Sequence, residues 1–148
     1  MPDLGSGFAI RRCMDSTRIL LVDDDDETRE LLRDFFGDRG YAVETAGDGA
    51  KALMRLATFA ADLVITDLEM PGMSGLELIR SLHAARQQTP VLLVTARAER
   101  ELPLRRLGRR AGFECLRKPL DLDALGKIVE RMTASHALAE SHTVHQNL

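Results

Sequence analysis

The chain has no long hydrophobic run, few cysteines and no excess of positive charge, and each absence excludes a class of protein. No stretch approaches the roughly 18 apolar residues of a membrane-spanning helix, and the apolar residues 7–10 are too short for a signal-peptide core. The 2 cysteines, Cys13 and Cys115, have no metal-ligand spacing. The net charge of −3 argues against nucleic-acid binding. We therefore expect a cytoplasmic protein without a disulfide that binds neither membranes nor nucleic acids.

The length and composition predict one domain with two extensions. A chain of 148 residues that is 45% hydrophobic can build one proper core and is too short for two ordinary ones. Residues 1–17 and 133–148 lack a hydrophobic period, so we expect a folded domain over 18–132 between two flexible extensions. Met14 is a second candidate start of translation, directly before the first predicted strand.

Apolar runs and amphipathic segments alternate five times along the chain. The predicted strands cover residues 19–22, 41–45, 62–66, 91–94 and 113–116. The predicted helices follow each strand: one carrying residues 31–36, one from about 50 to 59, one after Gly75, an arginine-rich one after Thr95, and one over 122–132. This alternation predicts an α/β fold with a doubly wound parallel sheet. We expect the flavodoxin-like (βα)5 strand order 2-1-3-4-5, which puts the three most apolar strands inside.

Five polar side chains follow the predicted strands at the points where those strands end. Asp23 and Asp24 follow the first strand, Asp67 the third, Thr95 the fourth and Lys118 the fifth. The carboxyl ends of parallel strands share one edge, so these groups should converge there. Each close pair of carboxylates would repel by about 3 to 4 kcal/mol at an effective dielectric near 20, and a bound cation would remove that cost. Hard oxygen ligands with room for water predict Mg²⁺.

The same edge could carry out phosphoryl chemistry. A carboxylate beside Mg²⁺ can act as a nucleophile toward phosphorus and form an aspartyl phosphate. A lysine and a hydroxyl next to it could hold the phosphoryl oxygens.

Four motifs, in their order along the chain, resemble those of the receiver domain of bacterial two-component response regulators, and the resemblance covers about residues 18–132. The motifs are residues 19–25 (ILLVDDD), 67–75 (DLEMPGMSG), 95–96 (TA) and 118–119 (KP). The resemblance implies that Asp67 accepts a phosphoryl group from a histidine kinase or a histidine phosphotransfer protein. It also implies that the metal ligands are Asp23, Asp24, Asp67 and the backbone carbonyl of Glu69, that Thr95 is the switch hydroxyl, that Lys118 pairs with the phosphoryl group, and that the bond before Pro119 is cis.

Two residues depart from the family pattern. Cys115 stands where the family usually has the Tyr or Phe that rotates on activation, which puts the usual switch in doubt. Pro103 falls inside the expected fourth helix, so that helix should start late or be distorted. Residues Arg97 to Lys118 also hold eight of the 20 Lys and Arg residues. This face, which we call the output face, should bind an acidic surface of a downstream protein.

We therefore interpret the chain as a stand-alone receiver, that is, a single-domain response regulator. We expect it to signal by protein–protein interaction and not to act as an enzyme. An ion pair between Glu69 and Arg97 should hinder the attacking water and lengthen the lifetime of the phosphorylated state. Two alternatives remain open. One is a receiver-like interaction module with an impaired switch, which Cys115 and Pro103 suggest. The other is a phosphatase of the haloacid dehalogenase type, although there the acid pair follows the nucleophile instead of preceding it.

Overall fold

The computed structural model describes residues 17–146 of the chain, with side chains up to Ala134. The predicted N-terminal extension and Met14 lie outside the described residues. The strands are β1 (Arg18–Val22), β2 (Ala42–Ala46), β3 (Leu63–Asp67), β4 (Val91–Thr95) and β5 (Phe113–Arg117). The helices are α1 (Asp26–Asp38), α2 (Gly49–Leu56), α3 (Gly75–Ala84), α4 (Ala98–Ala111) and α5 (Leu122–Gln146). Strands and helices alternate throughout, as predicted.

All five strands form one parallel sheet in the order β2-β1-β3-β4-β5. The prediction of a flavodoxin-like sheet is therefore confirmed. Every residue of β3 and β4 is buried, whereas the edge strands β2 and β5 are partly exposed. The continuous apolar runs thus lie at the centre of the sheet, because a strand that is covered on both faces cannot alternate apolar residues with polar ones.

The core has two layers, one on each side of the sheet. Alternate residues of β1 point to opposite sides, so Leu20 lies in the layer that includes residues of α2, α3 and α4, and Ile19 lies in the layer that includes residues of α1 and α5. Phe36 of α1 and Leu125 of α5 are fully buried in the second layer. Each such side chain contributes about 1.5–3 kcal/mol through its removal from water. The helices thereby fix the strand ends that carry the polar residues.

The last helix is longer than predicted. The apolar stripe of α5 ends at Met132, yet its backbone stays helical to Gln146, beyond the predicted end of the domain. Residues 134–140 include three alanines, a leucine and a glutamate, which have high intrinsic helix propensity, and this favours a helical backbone beyond Met132. Across residues 17–146, no helix combines the length with the apolar composition that a bilayer crossing demands.

The expected late start of the fourth helix was wrong. Helix α4 begins at Ala98 and contains Pro103, an exposed residue. A proline in a helix interior costs about 3 kcal/mol, so tertiary packing must offset that cost here. The packing is close at Gly108, where an added Cβ would stand 2.3 Å from the carbonyl oxygen of Phe113. Only a glycine lets α4 lie this near to β5.

Candidate functional site

The sheet brings the predicted polar residues to one edge. Asp67 and Thr95 are the last residues of β3 and β4, and Asp23 directly follows β1. Lys118 directly follows β5, and its backbone N–H donates to the carbonyl oxygen of Thr95 at 2.8 Å. The bond between Lys118 and Pro119 is cis, as the resemblance implied. The convergence predicted from the parallel topology is therefore present.

Three carboxylates gather at the centre of this edge. One carboxylate oxygen from each of Asp23, Asp24 and Asp67 lies within 4.8 Å of the others. Asp23 and Asp67 are buried, whereas Asp24 is exposed. We call these three residues the acid cluster. Like charges at this spacing repel one another, and a cation is needed to offset the repulsion.

Lys118 supplies one positive charge to the acid cluster. Its Nζ lies 3.3 Å from Asp23 Oδ2 and 3.7 Å from Asp67 Oδ1. Burial disfavours the charge of Lys118, but Asp23 and Asp67 outweigh that effect and raise its pKa. Its ammonium contacts two of the three carboxylates, and one positive charge against three negative ones leaves an excess of negative charge.

Asp67 is the most perturbed of the acids. Burial raises its pKa from 3.8 to about 6, against the opposing effect of Lys118 and with help from Asp23, Glu69 and Asp24. At neutral pH its carboxyl is therefore still ionised, although at a cost to the fold. A buried carboxylate with a shifted pKa in a cluster of charged groups is typical of functional sites.

The backbone around Asp23 is fixed by several hydrogen bonds. Its Oδ1 accepts the backbone N–H of Asp25 at 3.0 Å, and its own N–H donates to the carbonyl oxygen of Ala46 at 3.2 Å. Arg29 of α1 donates a guanidinium N–H to the carbonyl oxygen of Asp23 and pairs with Asp26. The role of Arg29 was missed by sequence reasoning, because no motif marks an arginine one and a half helical turns after the acid pair.

A second cluster of polar side chains surrounds Thr95. Its hydroxyl donates to Glu69 Oε1 at 3.0 Å and accepts the backbone N–H of Arg97 at 3.1 Å. Arg97 Nε lies 3.8 Å from the same Glu69 oxygen, so the ion pair predicted from sequence is present. The hydrogen bond between Thr95 and Glu69 was not predicted. It gives the Glu69 side chain a second contact beside the predicted ion pair with Arg97.

The acid cluster fits a divalent metal ion. Its donors are hard carboxylate oxygens, one side of the cluster is exposed at Asp24, and Lys118 alone does not balance its charge. Mg²⁺ prefers such oxygen ligands and keeps several waters.

The loop after Asp67 packs tightly against the site. A Cβ at Gly75 would stand 2.5 Å from the carbonyl oxygen of Asp67, and the Gly75 N–H donates to the carbonyl oxygen of Leu68 at 2.9 Å. Gly75 therefore allows α3 to begin directly beside the end of β3.

Comparison with known proteins decides the family. The sequence model described as the response regulator receiver domain matches residues 19–130, most of the chain. The chain belongs to the response regulator receiver domain family. Receiver domains bind Mg²⁺ at an acidic pocket, and this receiver domain has such a cluster at Asp23, Asp24 and Asp67.

Curated relatives of this receiver domain include response regulators that are longer than this chain. The regulatory protein AtoC of Escherichia coli K12 is 36% identical over 132 residues, which cover 88% of this chain and 28% of AtoC. The response regulator MprA of Mycobacterium tuberculosis is 40% identical over 120 residues, which cover 80% of this chain and 50% of MprA. The chain thus spans half or less of the length of these relatives.

Solved receiver structures share the fold. The chemotaxis response regulator CheY4 of Vibrio cholerae has a TM-score of 0.71 at 31% identity, covering 79% of this chain and 98% of that one. The response regulator TrrA of Thermotoga maritima, solved in complex with Mg²⁺-BeF, has a TM-score of 0.69 at 34% identity, covering 78% and 98%. Both likenesses agree with the strand order of this receiver domain.

Proposed function

We propose that this receiver domain accepts a phosphoryl group on Asp67 from a histidine kinase or a histidine phosphotransfer protein. The observation that carries the proposal is the buried Asp67 carboxyl at the end of β3, 3.7 Å from Lys118 and within the acid cluster. A carboxylate in this setting is held for a reaction rather than for stability, because its charge opposes folding.

The proposed transfer forms one bond and breaks one bond. An Asp67 oxygen attacks the phosphorus, the bond from phosphorus to the donor nitrogen breaks, and the nitrogen keeps the electron pair and takes up a proton. Asp67 must be ionised to attack, and a pKa of about 6 leaves it ionised at neutral pH. Lys118, already beside Asp67, would pair with a phosphoryl oxygen.

The proposed metal ligands are Asp23, Asp24, Asp67 and the backbone carbonyl of Glu69. When bound, Mg²⁺ would neutralise negative charge on the phosphoryl oxygens and on the acid cluster. Lys118 brings one positive charge to a cluster of three carboxylates, which supports a need for added positive charge.

The proposed switch begins at Thr95. Its hydroxyl would leave Glu69 Oε1 and donate to the phosphoryl group, and Glu69 would then interact with Arg97 alone. Arg97 is the N-cap residue of α4, so this exchange would act on the start of the output face. Phosphorylation can shift the population only as far as the phosphoryl group binds the two states differently.

The output would be interaction with a downstream protein through residues 97–118. Seven exposed arginines lie on this face: Arg97, Arg100, Arg105, Arg106, Arg109, Arg110 and Arg117. Cys115 is buried in β5 at the position where the family usually has an aromatic ring. A small thiol cannot signal by swinging outward, so the proposed output relies on α4. The single-domain organisation and the cytoplasmic location stay predictions.

The proposal is tested with acetyl phosphate, with and without Mg²⁺, by intact mass spectrometry. We expect one labile phosphoryl adduct that needs Mg²⁺ and is absent in Asp67→Asn. The matched control is Asp34→Asn, which changes an exposed carboxyl of α1 and should leave the adduct intact. An adduct that persists in Asp67→Asn would overturn the assignment of the phosphoacceptor.

Amide exchange of the treated protein and turnover of a phosphate ester, measured beside the adduct, separate the two alternatives. An interaction module with an impaired switch, which Cys115 favours, would form no adduct or would form one without a change in amide exchange over residues 95–118. A phosphatase of the haloacid dehalogenase type would turn over a phosphate ester many times, and membership of the receiver family speaks against it.

A further inference from the structure

A cleft of about 540 Å³ lies at the carboxyl end of β2, the edge strand on the other side of the sheet from β5. It is lined by the end of β2, by α2 and by Arg29 of α1, and we call it the β2 cleft. Its volume is typical of small-molecule sites. Ligands of parallel sheets bind beyond the carboxyl ends of the strands, so the β2 cleft lies where a ligand site is expected.

The lining of the β2 cleft is cationic. Three basic side chains line it, Arg29, Lys51 and Arg55, and no carboxylate of the described part of the chain does so. Thr45 and Thr58 also line the cleft, and each brings a hydroxyl that can donate a hydrogen bond. Arginine pairs with two oxygens of a phosphate at once, so this lining favours a phosphate-bearing anion.

The acids near the β2 cleft hold its outer cations only loosely. Lys51 Nζ lies 3.9 Å from Asp48 Oδ2, and Arg55 Nη1 lies 3.6 Å from Glu44 Oε2. Both distances exceed that of a hydrogen bond. Lys51 and Arg55 are exposed, and an exposed ion pair contributes at most about 1 kcal/mol. A ligand with several negative charges can therefore replace these acids at little cost.

The inner cation, Arg29, is already held in place. Its side chain is 20% exposed, and its guanidinium donates to the carbonyl oxygen of Asp23 and pairs with Asp26. A Cβ at Gly47 would stand 3.3 Å from Arg29 Nη1, so the guanidinium packs closely on the end of β2. A guanidinium has five N–H groups, and these two contacts leave others for a ligand. Because Arg29 is ordered beforehand, binding loses little side-chain entropy there.

One apolar side chain lies beside these cations. Met54 of α2 lines the β2 cleft and is 73% exposed. A thioether makes favourable contacts with aromatic rings. An organic group attached to the bound phosphates would therefore gain stability by covering Met54.

We propose that the β2 cleft binds an organic diphosphate, whose phosphates contact Arg29, Lys51 and Arg55 and whose organic part covers Met54. A single phosphate group carries only about −1.5 to −2 charges at pH 7 and would leave one of the three cations unmatched. This site is separate from the acid cluster, so the inference does not rest on phosphoryl transfer to Asp67.

The probe is ADP, titrated into the full chain by isothermal titration calorimetry in EDTA at two salt concentrations. We expect binding that weakens as salt is added. Pyrophosphate, which lacks the organic part, should bind at least about threefold more weakly than ADP. Adenosine, which lacks the phosphates, should bind at least about tenfold more weakly.

Two double variants test where ADP binds. Lys51→Gln with Arg55→Gln removes the two outer cations and should weaken ADP binding by at least about tenfold. The matched control, Arg105→Gln with Arg109→Gln, removes two exposed arginines of α4 and should change ADP affinity by less than about twofold. A third variant, Met54→Ser, should reduce the preference for ADP over pyrophosphate. All these positions are exposed, so we expect the urea midpoints to stay near that of wild type.

Amide chemical shifts of the wild-type protein locate ADP without any substitution. We expect the shifts on adding ADP to centre on residues 45–58. Shifts centred on residues 97–118, or ADP affinity that survives the loss of Lys51 and Arg55, would overturn the inference. So would pyrophosphate binding as tight as that of ADP, or the absence of ADP binding.

Discussion

The substitution Asp67→Asn should stabilise the protein at neutral pH when no divalent metal is present. The Asp67 carboxyl is buried, and burial raises its pKa from 3.8 to about 6 despite the nearby ammonium of Lys118. The ionised form is therefore disfavoured by the fold. Asparagine has nearly the same shape without the charge, so it removes the penalty and leaves the packing in place.

The magnitude follows from the shift in pKa. A change from 3.8 to about 6 corresponds to about 3 kcal/mol between the charged and neutral forms. We expect a gain of about 2 to 3 kcal/mol in the free energy of unfolding at pH 7.5. For a domain of this size, that gain raises Tm by about 8 to 12 °C.

The gain should depend on pH in a defined direction. Because the folded state raises the pKa of Asp67, the stability that its protonated form contributes is full below pH 3.8 and is lost as pH rises through about 6. Wild type therefore loses stability relative to Asp67→Asn over this range. At pH 5 the difference should be about half of its value at pH 7.5.

Urea denaturation in EDTA at pH 5 and pH 7.5 measures both quantities. The matched control is Asp34→Asn, an exposed position in α1, which should change stability by less than about 0.5 kcal/mol. The denaturant slope should stay constant across the variants, so that midpoints report stability. A variant no more stable than wild type at pH 7.5, or a gain that does not shrink at pH 5, would refute the reasoning.

Three other changes test other parts of the structure. Glu69→Ala and Glu69→Gln each remove the ion pair with Arg97, so both should shorten the lifetime of the phosphoryl adduct. Unchanged decay of the adduct, followed by mass spectrometry, would count against that role. Gly108→Ala should cost about 2 to 4 kcal/mol, because its Cβ would stand 2.3 Å from a carbonyl oxygen of β5, whereas Gly37→Ala has nothing within 4 Å and should be neutral or stabilising. Equal urea midpoints for these two variants would contradict the close approach of α4. Lys118→Met should make the melting temperature depend more strongly on Mg²⁺ than in wild type, because it removes a cation from the acid cluster; an unchanged Mg²⁺ response would contradict the electrostatic account.

Sequence patterns predicted the edge of the sheet where the polar residues meet. A strand's apolar run shows where the strand ends, and parallel topology brings those ends together, so Asp23, Asp67 and Thr95 could be placed before any coordinates. The ion pair between Glu69 and Arg97 also followed from their equal spacing after two strand ends. These features follow from the order of the strands and from the spacing of residues after the strand ends.

Other features depend on packing that a pattern does not encode. Pro103 predicted a late or distorted helix, but contacts of α4 with β5 at Gly108 hold a helix that begins at Ala98. Leu31 falls on the apolar period of α1 and yet is 56% exposed, because the helix buries a narrower face than the period suggests. The hydrogen bond from Thr95 to Glu69 depends on a side-chain rotamer, which sequence does not give.

The most direct test of the central claim is to locate the phosphoryl group. The protein is incubated with acetyl phosphate and Mg²⁺, the adduct is reduced with borohydride, and the peptides are sequenced by mass spectrometry. Borohydride converts an aspartyl phosphate to homoserine and leaves free carboxyls unchanged. The account predicts homoserine at position 67 alone, and none without Mg²⁺. Homoserine at another aspartate, or none at position 67 in the presence of Mg²⁺, would contradict it.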